Sequence, residues 1–246
     1  MRLEGNQQIG IRPRSERSQP PPDVAEALAS FHLSVTRRRH IVTGRLDMFW
    51  EAGRWVDLTL GACDDAPTRM REVTGYLVHD GLAVGLVRFR EVAVPSFLDD
   101  VEFFEHCDGY SGETSAFATA LLAGWPVDRV SQYGLLLEFS RMWVALEHAR
   151  NSAWATSVRA LITRRWERRG PTQAALMLLK PFPLEYEHIV GERGLKPQVE
   201  TRIAAMRRLY ARTLGVKPLH GDEWMWRGFR GITPPPARKP RILRFR

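Results

Sequence analysis

Residues 133–145, YGLLLEFSRMWVA, form a nearly continuous apolar run in which only Glu138, Ser140 and Arg141 are polar in the body of the segment. A run this short and this apolar reads as a central strand buried on both faces. Such a strand cannot belong to a sheet with one wet face, so the sheet around it has to be covered on both sides. The fold class that follows is α/β (α+β), a mixed central β-sheet flanked by helices.

The neighbouring segments supply the remaining layers. Thr74–Val78 and Leu82–Phe89 are rich in β-branched and aromatic residues and are joined through His79-Asp80-Gly81, which predicts antiparallel strands over 74–79 and 82–90. Gln173–Lys180 is short, apolar and followed by Pro181-Phe182-Pro183, which predicts a second core strand beside 135–145. Trp224-Met225-Trp226 reads as a final strand. Asp23 is the expected N-cap of a helix carrying Val24, Ala27, Leu28, Phe31 and Val35 and ending near Arg37–Arg39. Residues 46–60 read as helical or irregular, and 96–125 as two helices broken near Gly109 and Gly112. Asn151 or Ser152 caps a helix through Arg168 that Gly170-Pro171 ends, and 198–212 is amphipathic and closed by Gly215.

Three parts follow from composition: an N-terminal arm, 1–22, polar and proline-rich and expected to be disordered; a folded unit, 23–231; and a basic, proline-rich C-terminal tail, 232–246. No stretch approaches 18 consecutive apolar residues, and residues 1–22 hold no apolar segment that could act as a signal, which argues against a membrane span and a secretory route. Two cysteines, Cys63 and Cys107, exclude a disulfide scaffold and a four-cysteine zinc site, and a reducing cytoplasm is the expected location. No metal is expected. His106-Cys107-Asp108 lacks a second ligand pair at coordinating spacing and a partner motif for a cysteine nucleophile.

Charge is distributed unevenly. Residues 1–46 hold 8 basic and 4 acidic residues (+4), 47–149 hold 7 and 17 (−10), and 150–246 hold 21 and 7 (+14). Of the 36 basic residues 32 are arginine, a composition suited to bidentate contact with phosphate or carboxylate. A polyanionic partner is expected at the C-terminal half, either nucleic acid or a phosphate-rich cofactor. The run Arg164-Arg165-Trp166-Glu167-Arg168-Arg169 reads as a solvated helix end, or as a face turned toward such phosphates.

The order of hairpin, helices, buried strand, capped helix, strand, long helix and final strand resembles the GNAT superfamily of acyl-CoA N-acyltransferases over residues 74–229. In that superfamily a strand leads into (Arg/Gln)-x-x-Gly-x-(Gly/Ala) at a helix start, and Arg150-Asn151-Ser152-Ala153-Trp154-Ala155 occupies that place with Ala153 at the usual glycine. The C-terminal stretch Arg208-Leu209-Tyr210, Leu214-Gly215-Val216 and Met225-Trp226 extends the resemblance. Within the superfamily, Glu138-Phe139-Ser140-Arg141, Gly85-Leu86-Val87-Arg88 and Pro95-Ser96-Phe97-Leu98-Asp99 are similar to segments of acyl-homoserine-lactone synthases and related long-chain acyl synthases.

The resemblance implies a GNAT-like fold, acetyl-CoA or another acyl-CoA as the acyl donor and an amine as the acceptor. It implies that the pyrophosphate meets Arg150, Asn151, Ser152, Ala153, Trp154 and Ala155 at a helix N-terminus, where small residues and the dipole suit phosphates. Backbone N–H groups at Trp143, Val144 and Ala145 would face the thioester oxygen. Glu138 is then a base for the amine, or else a structural partner of Arg141 or another arginine. Tyr210 is the acid for the departing thiolate or a core residue of its helix. Trp143, Trp154 and Trp166 read as packing residues in preference to a nucleobase platform, and His148 as exposed. The acidic middle of the chain suits a cationic acceptor. The second functional reading is a non-catalytic protein of this fold, of phage or plasmid type, that holds nucleic acid or an assembly through its basic tails.

Overall fold

The computed structural model describes residues 19–31, 38–58, 67–150, 152–183, 196–219, 223–229 and 232. Asn151, Cys63 and nearly all of both basic tails lie outside these residues.

One mixed sheet organises the molecule. Its strands are β1 (Arg39–Ile41), β2 (Asp47–Ala52), β3 (Val56–Asp57), β4 (Arg69–His79), β5 (Leu82–Ala93), β6 (Leu135–Val144), β7 (Ala174–Leu179), β8 (Lys217–Pro218) and β9 (Met225–Gly228). They lie in the order β1-β2-β4-β5-β6-β7-β9-β8, with β3 also paired to β4. Every pairing is antiparallel except β6 with β7. The β4–β5 hairpin turns at Asp80 (φ 49°) and Gly81 (φ 79°), two consecutive positive φ values that make the tight turn favoured by Asp-Gly. The expected strand 135–145 and its neighbour at 173–180 are thus present as β6 and β7, joined by a helical crossover.

Helices cover both faces. On one face lie α6 (Ala153–Ile162) and α7 (Lys196–Leu214), packed with Val87, Phe89, Leu137, Phe139, Met177 and Leu179. On the other, α2 (Asp100–Tyr110), α3 (Gly112–Gly124) and α4 (Val127–Ser131) cover Val92, Leu136, Leu176 and Leu178, while α1 (Pro22–Ser30) covers Tyr76, Val78 and Leu86. A short helix, α5 (Leu146–Ala149), links β6 to α6. Gly75 lets α6 reach the sheet: a Cβ there would lie 2.8 Å from Val87, 2.9 Å from Met48 and 3.2 Å from Leu161.

Three expectations change. Helix α1 stops at Ser30, and Arg39 opens β1. The helix is entered through Pro21 and Pro22, whose fixed φ suits a first turn, and Asp23 is not its cap because Arg88 and Arg141 take its carboxylate at 2.9 and 2.6 Å. Residues 46–60, read as helical or irregular, supply β2 and β3; Met48 and Trp50 are buried on one face of β2, a period of two that pairing with β4 enforces. The helix after Ser152 does not run regularly to Arg168. It widens into a π-helical turn over Thr163–Glu167 in which Arg165 and Trp166 are buried, while Arg164, Arg168 and Arg169 are exposed as a solvated helix end would be.

Candidate functional site at the open end of the sheet

The sheet parts between β6 and β7. Parallel pairing between them ends at Phe139 with Leu179, and the chain after β7 passes through Pro181 and Pro183, which have no N–H to donate. Strand β6 continues to Val144 paired with β5, while residues 140–144 have no strand on their other side among the described residues. Ser140 is the extra residue between the pairs Phe89–Phe139 and Arg88–Arg141, a β-bulge whose hydroxyl donates to the Arg88 carbonyl at 3.2 Å. The bulge reverses the alternation of the strand. Phe139 packs on the α6 face, and so do Met142 and Val144, whereas Trp143 packs with the α1 cluster.

The helix N-terminus lies just beyond that opening. Ala145 donates its N–H to the Val84 carbonyl at 2.8 Å and closes the β5–β6 ladder; α5 and Arg150 then lead to Ser152 at the start of α6. Among the described residues no side chain caps α6, Ser152 included, and the first turn of any helix leaves N–H groups without an intrahelical acceptor. Arg150 and Ser152 are exposed, while Trp143, Val144, Ala145 and Ala153 are half-buried. Trp154 and Ala155 are core residues at 3% and 1% exposure, so their side chains offer an anion nothing, and the Ala155 N–H already donates to the Ser152 carbonyl at 3.1 Å. Their burial against the sheet is what fixes the helix end in place.

Glu138 and Tyr210 stand at the same level of β6 on opposite faces. Tyr210, on α7, is buried with its ring 5.7 Å from Phe139 and 6.5 Å from Trp154. It therefore bridges the last residue of the β6–β7 pairing and the first turn of α6. Glu138 points the other way and binds Arg90 at 3.0 Å, and Arg90 also holds Glu113 of α3. Of the arginines expected as a structural partner, Arg141 or another, it is Arg90 that pairs with Glu138, while Arg141 binds Asp23 at 2.6 Å. Burial raises the Glu138 carboxyl above the ordinary carboxylate range, against the opposing pull of Arg90. Glu113 is held low by the hydrogen bond and charge of Arg90. Asp23 joins Arg88 and Arg141, and Glu72 reaches Arg88 at 3.5 Å, so a line of alternating charges crosses this face between α1 and α3. Arg90 and Glu113 were not foreseen as members of the site.

A second carboxylate was missed as well. Glu91 is fully buried on the α6 face and accepts from Arg71 at 2.5 Å, from Arg165 at 2.6 and 3.1 Å, and from the Trp166 indole at 2.5 Å. The π-helical turn directs the consecutive residues Arg165 and Trp166 to one carboxylate. The signal lay in the alternation of Val87, Phe89 and Glu91, which places a charge on an otherwise apolar face.

Cys107 is buried, and its thiol is pushed up to about 12 by burial and by the nearby Glu138, which leaves no thiolate for nucleophilic work. His106 meets the Thr68 hydroxyl at 3.1 Å. Among the described residues no three His, Cys, Asp or Glu side chains cluster as metal ligands, and no helix is long and apolar enough to cross a membrane. His148 is half-buried, edge-on to His79 at 5.0 Å. No family model, curated protein or solved structure matches the chain.

Proposed function

We propose that the chain is an acyltransferase of GNAT type that moves an acetyl or longer acyl group from acyl-CoA to an amine. The observation that carries this reading is the parting of β6 from β7 at a bulge, directly before a helix N-terminus that no described side chain caps. An extended pantetheine arm can pair with the side of residues 140–144 that no described strand occupies, as an added strand would. Its pyrophosphate then meets Arg150 and the α6 N-terminus, where the dipole and backbone N–H groups favour negative charge. Ala153 brings no bulk beyond a methyl to this approach.

The chemistry divides between the two faces. Attack of a neutral amine on a thioester requires removal of a proton from nitrogen, donors for the carbonyl oxygen as it gains charge, and a proton for the departing sulfur. Glu138, with a raised pKa and an orienting Arg90, takes the amine proton from the α1/α3 face. The Ala145 N–H is taken by the Val84 carbonyl, so the Val144 N–H, which alternation turns to the open edge of β6, holds the oxygen, and Tyr210 protonates the thiolate from the α6/α7 face. The placement of Glu138 and Tyr210 on opposite faces supports this division, because the attacking amine and the departing thiolate are different substituents of the tetrahedral intermediate and each needs its own proton-transfer group. The acidic groups of the α1/α3 face suit a cationic acceptor.

Native mass spectrometry of the purified chain with acetyl-CoA tests the reading. A one-to-one complex that weakens in Arg150→Glu is expected; a chain that takes up no acyl-CoA of any length contradicts it.

A further inference from the structure

At the far end of α6 from Arg150, five arginines converge on one cleft. Its volume is about 1070 Å³, and Arg39, Arg71, Arg164, Arg165 and Arg168 line it together with Glu51, the one carboxylate among the described lining residues. Ten residues of α6 and the π-helical turn separate the two ends, which at about 1.5 Å per residue is more than 15 Å. This cleft is therefore a different place from the proposed pyrophosphate loop, and its argument does not rest on acyl transfer.

The cleft is built from the core outward. Glu91 fixes Arg71 and Arg165 from beneath. Arg165 lies 4.4 Å over the Trp50 ring and Arg39 5.1 Å from it, while Arg71 lies 4.2 Å over Trp55. The Thr172 hydroxyl donates to the Arg165 carbonyl at 2.8 Å, which meets one acceptor of the helix end and lowers its repulsion of an anion. Glu51 is occupied by Arg38 at 3.3 Å and by the Tyr76 hydroxyl at 3.1 Å. Among the described residues no carboxylate pairs with Arg39, Arg164 or Arg168, all three exposed at the rim. Three uncompensated guanidinium groups over two more that are locked in place repel one another, a cost that a multiply charged anion removes. The π-helical turn, a local departure frequent at functional sites, is what aims the arginine run here.

We propose that this cleft binds a small phosphate-bearing ligand carrying two or more negative charges. A single carboxylate would leave the rim charge unbalanced, and Trp50 is too buried, at 6% exposure, to stack a nucleobase. Guanidinium forks match phosphate oxygens in pairs, and arginine keeps its charge at every physiological pH.

Inorganic pyrophosphate, titrated calorimetrically into the full chain at low salt, is the probe. The titration is run in the wild type, in Arg150→Glu, in R164E/R168E, and in Arg129→Glu, an exposed charge control on α4. Binding retained in Arg150→Glu and Arg129→Glu, and weakened at least about tenfold in R164E/R168E, supports the cleft. Loss in Arg150→Glu without loss in R164E/R168E, equal loss in Arg129→Glu, or absence of binding in the wild type overturns it. A single-stranded oligonucleotide that binds through the same arginines and is not displaced by pyrophosphate also overturns it, in favour of a nucleic-acid surface. Should R164E/R168E fail to fold, Arg168→Gln answers the same question, with about a threefold or greater loss expected and an unchanged affinity contradicting the proposal.

Discussion

Glu91 and Glu138 sit one rung apart on adjacent strands, since Glu91 pairs with Leu137 and Arg90 with Glu138, yet they meet different surroundings. Glu91, on the α6 face, is fully buried and satisfied by two arginines and an indole N–H. Glu138, on the α1/α3 face, has one arginine, and that arginine is shared with Glu113. A carboxylate surrounded by donors serves the fold. A buried carboxylate with half a partner has a raised pKa and can exchange a proton. The contrast teaches that burial alone does not distinguish structural from chemical groups; the number of donors does.

The largest expected effect separates the two directly. Glu91→Gln leaves Arg165 with its charge buried and uncompensated, and thermal or denaturant unfolding should show a loss of about 3–5 kcal/mol. Glu138→Gln leaves Arg90 its bond to Glu113 and should cost only about 1 kcal/mol, while abolishing most acyl transfer. Equal destabilisation by both would break the distinction.

Tyr210→Phe comes next. It keeps the ring packing against Phe139 and Trp154 and removes the proton, so turnover should fall about 10- to 1000-fold with acetyl-CoA affinity unchanged. A fall in stability with no selective effect on turnover would make Tyr210 a core residue only. Arg150→Glu sets like charge against the pyrophosphate and should weaken acetyl-CoA binding by roughly 1.5–3 kcal/mol, read by calorimetry.

The smallest effect is the pH dependence of stability. The folded-state pKa of Glu138 is raised, so the folded chain binds this proton more readily than the unfolded one. Its contribution is full below the ordinary glutamate pKa and is lost as pH rises through the raised value. For Glu113, held low, the contribution is present above the ordinary value and is lost as pH falls through the lowered one. The melting temperature of the wild type should thus decline, relative to Glu138→Gln, as pH rises from about 4 toward neutrality. Parallel profiles would contradict the raised pKa.

How much of this was legible in the sequence depends on the range of the interaction that decides it. Strands β6 and β7 and the hairpin at Asp80-Gly81 declare themselves through local runs and turn chemistry. Strand β2 did not, because Phe49, Trp50 and Trp55 obscure a period of two that is set by pairing with β4. Glu138, Tyr210 and the Arg150 loop could be named as candidates from the sequence, but their arrangement could not. The bulge at Ser140, which decides the face of every later residue of β6, is visible only in the register with β5. Glu91 finds Arg165 at a separation of 74 residues, and no local spacing announces such a pair.

Hydrogen exchange of the backbone N–H groups of residues 140–144, with and without acetyl-CoA, tests the central claim most directly. These groups lie where β6 has no strand on its β7 side among the described residues. If the donor binds there as an added strand, exchange slows at 140–144 and at the first turn of α6, and stays unchanged at β1 and β2. Unaltered exchange at 140–144 under saturating acetyl-CoA would contradict the account.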